Sequence, residues 1–123
     1  MSITISGAKQ FLEVFQENHK SMYVNFKFGN DDPKFREQND YFEKIADKYY
    51  NSEKFDGKID LYKLNLNEFH DIEEVKVLLR KERFELYYSA FIGYYYNGSL
   101  CGFVRTDQKK QVEDFLEDVD NDY

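Results

Sequence analysis

This 123-residue chain predicts an α/β domain, and three stretches carry that prediction. The first is Tyr23 to Lys34, an alternating apolar run that ends in a polar turn and a proline-opened helix. The second is Lys58 to Leu66, a further strand pattern that follows the amphipathic segment after Pro33. The third is Phe91 to Val104, two aromatic or β-branched runs joined at Asn97-Gly98, the strongest short hairpin signal.

In order along the chain, Ile3-Thr4-Ile5 is short and β-branched and suits an edge strand. Ser6 is placed to cap a helix whose Ala8, Phe11, Leu12 and Phe15 recur at three- and four-residue spacing. Asn18-His19-Lys20 ends it, and His19, with no second ligand at metal-binding spacing, reads as a solvated loop residue. From Met22 to Phe28 the alternation sets Met22, Val24, Phe26 and Phe28 on one side and Tyr23, Asn25 and Lys27 on the other.

Asp32 before Pro33 is a good helix start, and the helix predicted over Pro33 to Tyr50 places Phe35, Phe42, Ile45, Ala46 and Tyr49 on one face. Glu37, Asp40, Glu43, Lys44 and Asp47 form its solvated remainder. Asn51 to Gly57 is a polar turn. Ile72, Val75, Leu78 and Leu79 predict a helix over Glu68 to Arg83, with His70 near its start among Asp71, Glu73 and Glu74 as a capping or solvated residue. Cys101 alternates with Phe103 in the second hairpin strand and reads as a small buried hydrophobe. Thr106 or Asp107 caps a last helix with Val112, Phe115, Leu116 and Val119 inward; the expected domain is 1–119, with 120–123 a frayed acidic tail.

Composition narrows the function. Hydrophobic residues at 41% and aromatic residues at 19% are enough for a packed core and exclude a disordered chain, despite 33% charged residues. A net charge of −7 disfavours nucleic acid and anionic membrane surfaces; it keeps a domain soluble and is compatible with a protein partner that has basic patches. One cysteine excludes an intramolecular disulfide and any Cys-x-x-Cys pair. No basic-then-apolar leader and no apolar run near membrane-span length appear, so the expectation is an intracellular, cytoplasmic protein.

The stretch Val24 to Phe35 resembles, without gaps, the Val-Asp-Phe-Trp-Ala-x-Trp-Cys-Gly-Pro-Cys-Lys strand and active-site turn of the thioredoxin family. Pro33 matches the family proline, whereas Asp31 and Lys34 stand at the two cysteine positions and Asn25 replaces the acidic residue that manages protons beneath the disulfide. Tyr62 to Asn67 resembles the family's third strand, and Phe91 to Val104 its Pro-Thr-Phe-x-x-Phe-x-x-Gly strand and hairpin. There the family's cis-proline position falls on Ala90, or on Ser89 if a bulge intervenes. The resemblance implies a thioredoxin-like α/β fold, a central mixed sheet flanked by helices in the order β-α-β-α-β-α-β-β-α, with the dithiol centre lost.

The residues offer no substitute chemistry. Asn30-Asp31-Asp32 lacks the alternating acidic spacing of a calcium loop and reads as helix capping, and no nucleophile or phosphate-binding glycine loop accompanies it. No cofactor and no metal site are expected. Tyr87, Tyr88, Tyr94, Tyr95 and Tyr96 crowd the hairpin, either as core or as a partner surface. The expected function is non-catalytic protein–protein interaction, through Asn30, Asp31, Asp32, Pro33 and Lys34 with Ser89 to Phe91, or through the tyrosines; a homo-oligomer or a subunit of a complex fits as well. The alternative is an enzyme, a degenerate thiol oxidoreductase or a glutathione-type enzyme working through Cys101.

Overall fold

A computed structural model describes residues 1–27, 33–65, 69, 73 and 90–123, with Lys34 described by its backbone alone. The sequence-predicted helix over Glu68 to Arg83, the Asp32 cap, Phe28, Leu66 and His70 therefore lie outside the described residues, save Phe69, which is buried, and Glu73.

Five strands form one sheet: β1 (Ile3–Ile5), β2 (Ser21–Lys27), β3 (Ile59–Asn65), β4 (Phe91–Tyr96) and β5 (Ser99–Arg105). Their spatial order is β1-β3-β2-β4-β5, parallel across the first three and antiparallel across the last three. The described helices are α1 (Ala8–Glu17), α2 (Pro33–Tyr50), α3 (Lys109–Phe115) and α4 (Glu117–Asp122). The central mixed sheet flanked by helices is as the sequence predicts.

Because side chains alternate along a strand, β2 feeds two cores. Met22, Val24 and Phe26 join Ala8 and Phe11 of α1 on one face. Tyr23 joins Phe42, Ile45, Ala46 and Tyr49 of α2 and Val112, Leu116 and Val119 of α3 and α4 on the other. Full burial of side chains of this size contributes about 1.5–3 kcal/mol each, so both cores anchor the central strand.

The hairpin turns at Asn97 (φ 53°) and Gly98 (φ 79°), the paired left-handed residues that a two-residue turn of this twist requires. Gly98 is fixed twice over, because a Cβ there would stand 2.6 Å from the Phe15 carbonyl oxygen at the end of α1. His19 is exposed beside the turn, with Nδ1 against Asn97 Oδ1.

At the other sheet edge β1 is short. It pairs with β3 only from Tyr62 onward, and the Ile59 and Leu61 N–H groups lie beyond its reach. Two phenols of α2 replace the missing strand: Ile59 donates to Tyr49 Oη at 3.0 Å and Leu61 to Tyr50 Oη at 2.9 Å.

Several local expectations change. Gly7, not Ser6, occupies the N-cap of α1, and Ser6 instead donates through its amide to Gln10 Oε1 at 3.0 Å. Gln108, not Thr106 or Asp107, precedes α3, because Thr106 is fully buried and its N–H closes onto the Ala90 carbonyl at 3.0 Å. The last helix is broken at Leu116 into two, and the acidic end is ordered as α4, held by Val119 in the core and by Lys48 on Asp120.

Candidate functional site

The site predicted from sequence sits where β2 ends and α2 begins. Two strands and a helix enclose Asn25 beneath it. Asn25 pairs in register with Lys63 of β3 and Ile92 of β4, points to the α2 face and is 1% exposed. Its Nδ2 donates to Asn39 Oδ1 at 3.0 Å, nearly two turns into α2, while its Oδ1 is buried with no partner among the described residues. The adjacent Gln38 is buried as well. An amide neither takes up nor releases a proton in the physiological range, so this position holds hydrogen bonds and does no proton transfer.

A lysine directly beside this amide needs a counter-charge from elsewhere. Lys63 finds it in α2, with Nζ 3.7 Å from Glu43 Oε1. Glu43, expected among the solvated residues, is therefore half-buried, and it also accepts the Ser2 N–H at 3.0 Å and the Ser2 hydroxyl.

Across the strand end, Ala90 is buried and its carbonyl accepts Thr106 N–H. Phe91 stacks on Phe26 with ring centroids 4.4 Å apart, which fixes β4 against β2 at this level. Pro33 is exposed at the first position of α2. Ala90, next to the Phe91–Phe26 pair, thus lies at the same end of the sheet as Asn25, and Pro33 opens α2. Asn30, Asp31, Asp32, Ser89, Tyr87 and Tyr88 lie outside the described residues.

Cys101 is elsewhere, and its burial is corrected. The β4–β5 register pairs Tyr94 with Gly102 and Tyr95 with Leu100, so Cys101 is the extra residue of a β-bulge on the edge strand. It is exposed, its thiol 3.5 Å from the Ser99 carbonyl. Simple alternation breaks at that extra residue, and Phe103 beyond it is 46% exposed. The bulge lies level with Tyr23 of β2, about 13 Å along the strand from Lys27 and two strands across.

The three described tyrosines of the hairpin part company. Tyr95 is 2% exposed and packs edge-on to Phe15 at 4.7 Å, so it is a core residue and unavailable to a partner. Tyr94 is half-buried against Tyr23 at 4.9 Å and shares a 3.0 Å hydrogen bond with the Ser21 hydroxyl. Tyr96 is 57% exposed and remains the accessible one. Burial, with Tyr94 and Asp118 nearby, pushes the Tyr23 phenol up to about 12.

Sheet order, mixed strand directions and the helix-capped end of β2 together define a thioredoxin-like α/β fold. Solved thioredoxins share it over nearly the whole chain. The Malassezia sympodialis thioredoxin is 18% identical, with a TM-score of 0.65 over 97% of this chain and 91% of that one. A Plasmodium falciparum thioredoxin is 15% identical, with a TM-score of 0.66 over 94% and 97%. Mitochondrial thioredoxin 3 of Saccharomyces cerevisiae is 11% identical, with a TM-score of 0.62 over 95% and 94%. At such identities the likeness is one of fold. No protein-family model and no curated protein matches the sequence.

Among the described residues no group of three or more His, Cys, Asp or Glu side chains is arranged to hold a metal ion, and no helix is long and apolar enough to cross a membrane.

Proposed function

We propose that this thioredoxin-like domain is a non-catalytic protein-interaction module. The observation that carries the reading is the polar centre under the turn: Asn25 is a buried amide bonded to Asn39, at the position from which a carboxylate would serve a dithiol. Asp31 and Lys34 at the two cysteine positions agree with it, as does the remoteness of the one thiol. The binding surface is the exposed end of the sheet around Pro33, with Ala90 and Phe91 as its buried floor, and the net charge of −7 favours a partner with basic patches. Backbone conformation and side-chain identity at such a loop end are free to serve recognition once they no longer have to serve sulfur chemistry.

The test is capture of a partner from native lysate by the wild-type chain, by Asp31→Arg/Lys34→Glu, and by Tyr96→Ala. A defined protein that binds wild type and Tyr96→Ala but not the turn variant is the expected result. Loss with Tyr96→Ala alone moves the surface to the hairpin, and absence of any bound protein removes the interaction reading.

The exposure of Cys101 favours a second reading, a thiol-dependent enzyme at the bulge of β5. It requires an activity that Cys101→Ser abolishes.

A further inference from the structure

We propose that Tyr123 is a strap that holds the 51–58 loop closed against α2, so that displacing this one side chain opens that end of the fold while the sheet stays intact. The loop makes its own bonds only at short range. Phe55 N–H reaches the Ser52 carbonyl at 3.1 Å, Lys54 N–H the Ser52 hydroxyl at 3.1 Å, and Lys58 N–H the Asp56 carboxylate at 3.1 Å. These bonds tie the loop only to itself, and its first two residues are tied to α2 by Asn51 N–H on the Asp47 carbonyl at 3.1 Å and Ser52 N–H on the Tyr49 carbonyl at 3.3 Å.

Tyr123 supplies the long-range ties at both ends. Its phenol donates to Asp56 Oδ2 at 2.7 Å, and its main-chain oxygen accepts the Ser52 hydroxyl at 3.2 Å. Its ring stands edge-on to Tyr49 at 4.6 Å, and Tyr49 in turn meets Phe55 of the loop at 5.2 Å. Tyr49 Oη also holds the Ile59 amide that starts β3. Tyr123 thus bonds Ser52 and Asp56 itself and reaches Phe55 and the Ile59 amide through Tyr49, while Phe55 also meets Tyr50 at 5.9 Å.

The strap has a firm root and a hinge. Val119 in the core and the 2.7 Å Lys48–Asp120 ion pair fix α4, from which Tyr123 projects. Gly57 adopts φ +69° with no atom within 4 Å of a Cβ placed there, so the loop meets β3 at a flexible, uncrowded residue. Tyr123 also forms one wall of a shallow groove of about 480 Å³ lined by Lys48, Asn51, Ser52, Glu53 and Lys54, so releasing it removes that wall. A segment with few buried apolar contacts, whose long-range hydrogen bonds come from one residue, opens as a unit below the global unfolding free energy.

Native-state amide exchange on the full chain tests this. In Tyr123→Ala, amides of 52–58 and Ile59 should exchange about tenfold faster, the loss expected for a hydrogen bond plus an edge-to-face pair, with Val24 and Phe26 unchanged. Tyr123→Phe keeps the ring, loses the Asp56 bond and should fall between. Unchanged exchange over 52–59 overturns the proposal, and so does uniform acceleration that includes Val24 and Phe26. If Tyr123→Ala does not fold, Tyr123→Phe is judged by the same criterion.

Discussion

The two ends of α2 are built on opposite terms. At its start, the helix covers Asn25, a buried amide with a bonded nitrogen and an oxygen without a partner among the described residues. At its far end, Tyr49 and Tyr50 accept backbone N–H groups, and Tyr123 donates to Asp56. A buried polar atom left without a partner costs on the order of 1–3 kcal/mol, and a hydrogen-bonded one does not. The far end is thus organised for stability, whereas the turn end carries a polar cost.

The largest effect should come from breaking the stable end. Tyr49→Ala removes a fully buried ring that touches Tyr50, Phe55 and Tyr123, and with it the acceptor for Ile59. A loss of about 3–5 kcal/mol in denaturant-unfolding free energy is expected. A change under about 1 kcal/mol would mean that this cluster does not hold the fold.

Asn25→Asp sharpens the other side. The new carboxylate would be buried, which raises its pKa in the folded state above the ordinary value near 3.9. The folded state then favours the protonated form, so the variant should match wild type most nearly below about pH 4 and lose stability as pH rises through the folded-state pKa. Lys63 lies in register to offset part of that loss, and adding Lys63→Met should deepen it. A pH-independent difference between Asn25→Asp and wild type would refute the burial argument.

Tyr50→Phe is a smaller probe. It leaves the ring and strands the Leu61 N–H, at a cost of about 1–2 kcal/mol. Burial pushes the Tyr50 phenol up to about 12 from 10.0, as it does the Tyr23 phenol. Since the folded pKa is raised, the Tyr50 contribution to stability should be flat below pH 10 and fall between pH 10 and about 12. Tyr50→Phe should reduce that slope in a series of unfolding midpoints against pH. Smallest of all is Lys109→Ala, which breaks an exposed 3.2 Å ion pair with Glu37 and should change stability by roughly 0–1 kcal/mol.

Much of the fold is legible in the sequence because its signals are local. Alternation from Met22 to Lys27, Pro33 at the start of α2 and the Asn97-Gly98 turn each act within a few residues. What is less legible depends on distant partners. Nothing near Cys101 announces the extra residue of its bulge, since Leu100 and Gly102 fit either register until β4 is laid beside them. Of three consecutive tyrosines, alternation alone does not say that Tyr95 is the one buried; α1, through Phe15, decides it. The acidic end reads as frayed because Val119 is its last aliphatic residue, and its order comes from Lys48 and Asp56, far away in sequence. For the candidate site, nothing in the sequence names the partner of Asn25, which is Asn39 on the next helix.

If this fold works without thiol chemistry, it should not reduce an exposed model disulfide under a thiol-regenerating system. Wild type and Cys101→Ser should both run at the protein-free rate. Turnover by wild type that Cys101→Ser abolishes would contradict the account and make the bulge of β5 the active site.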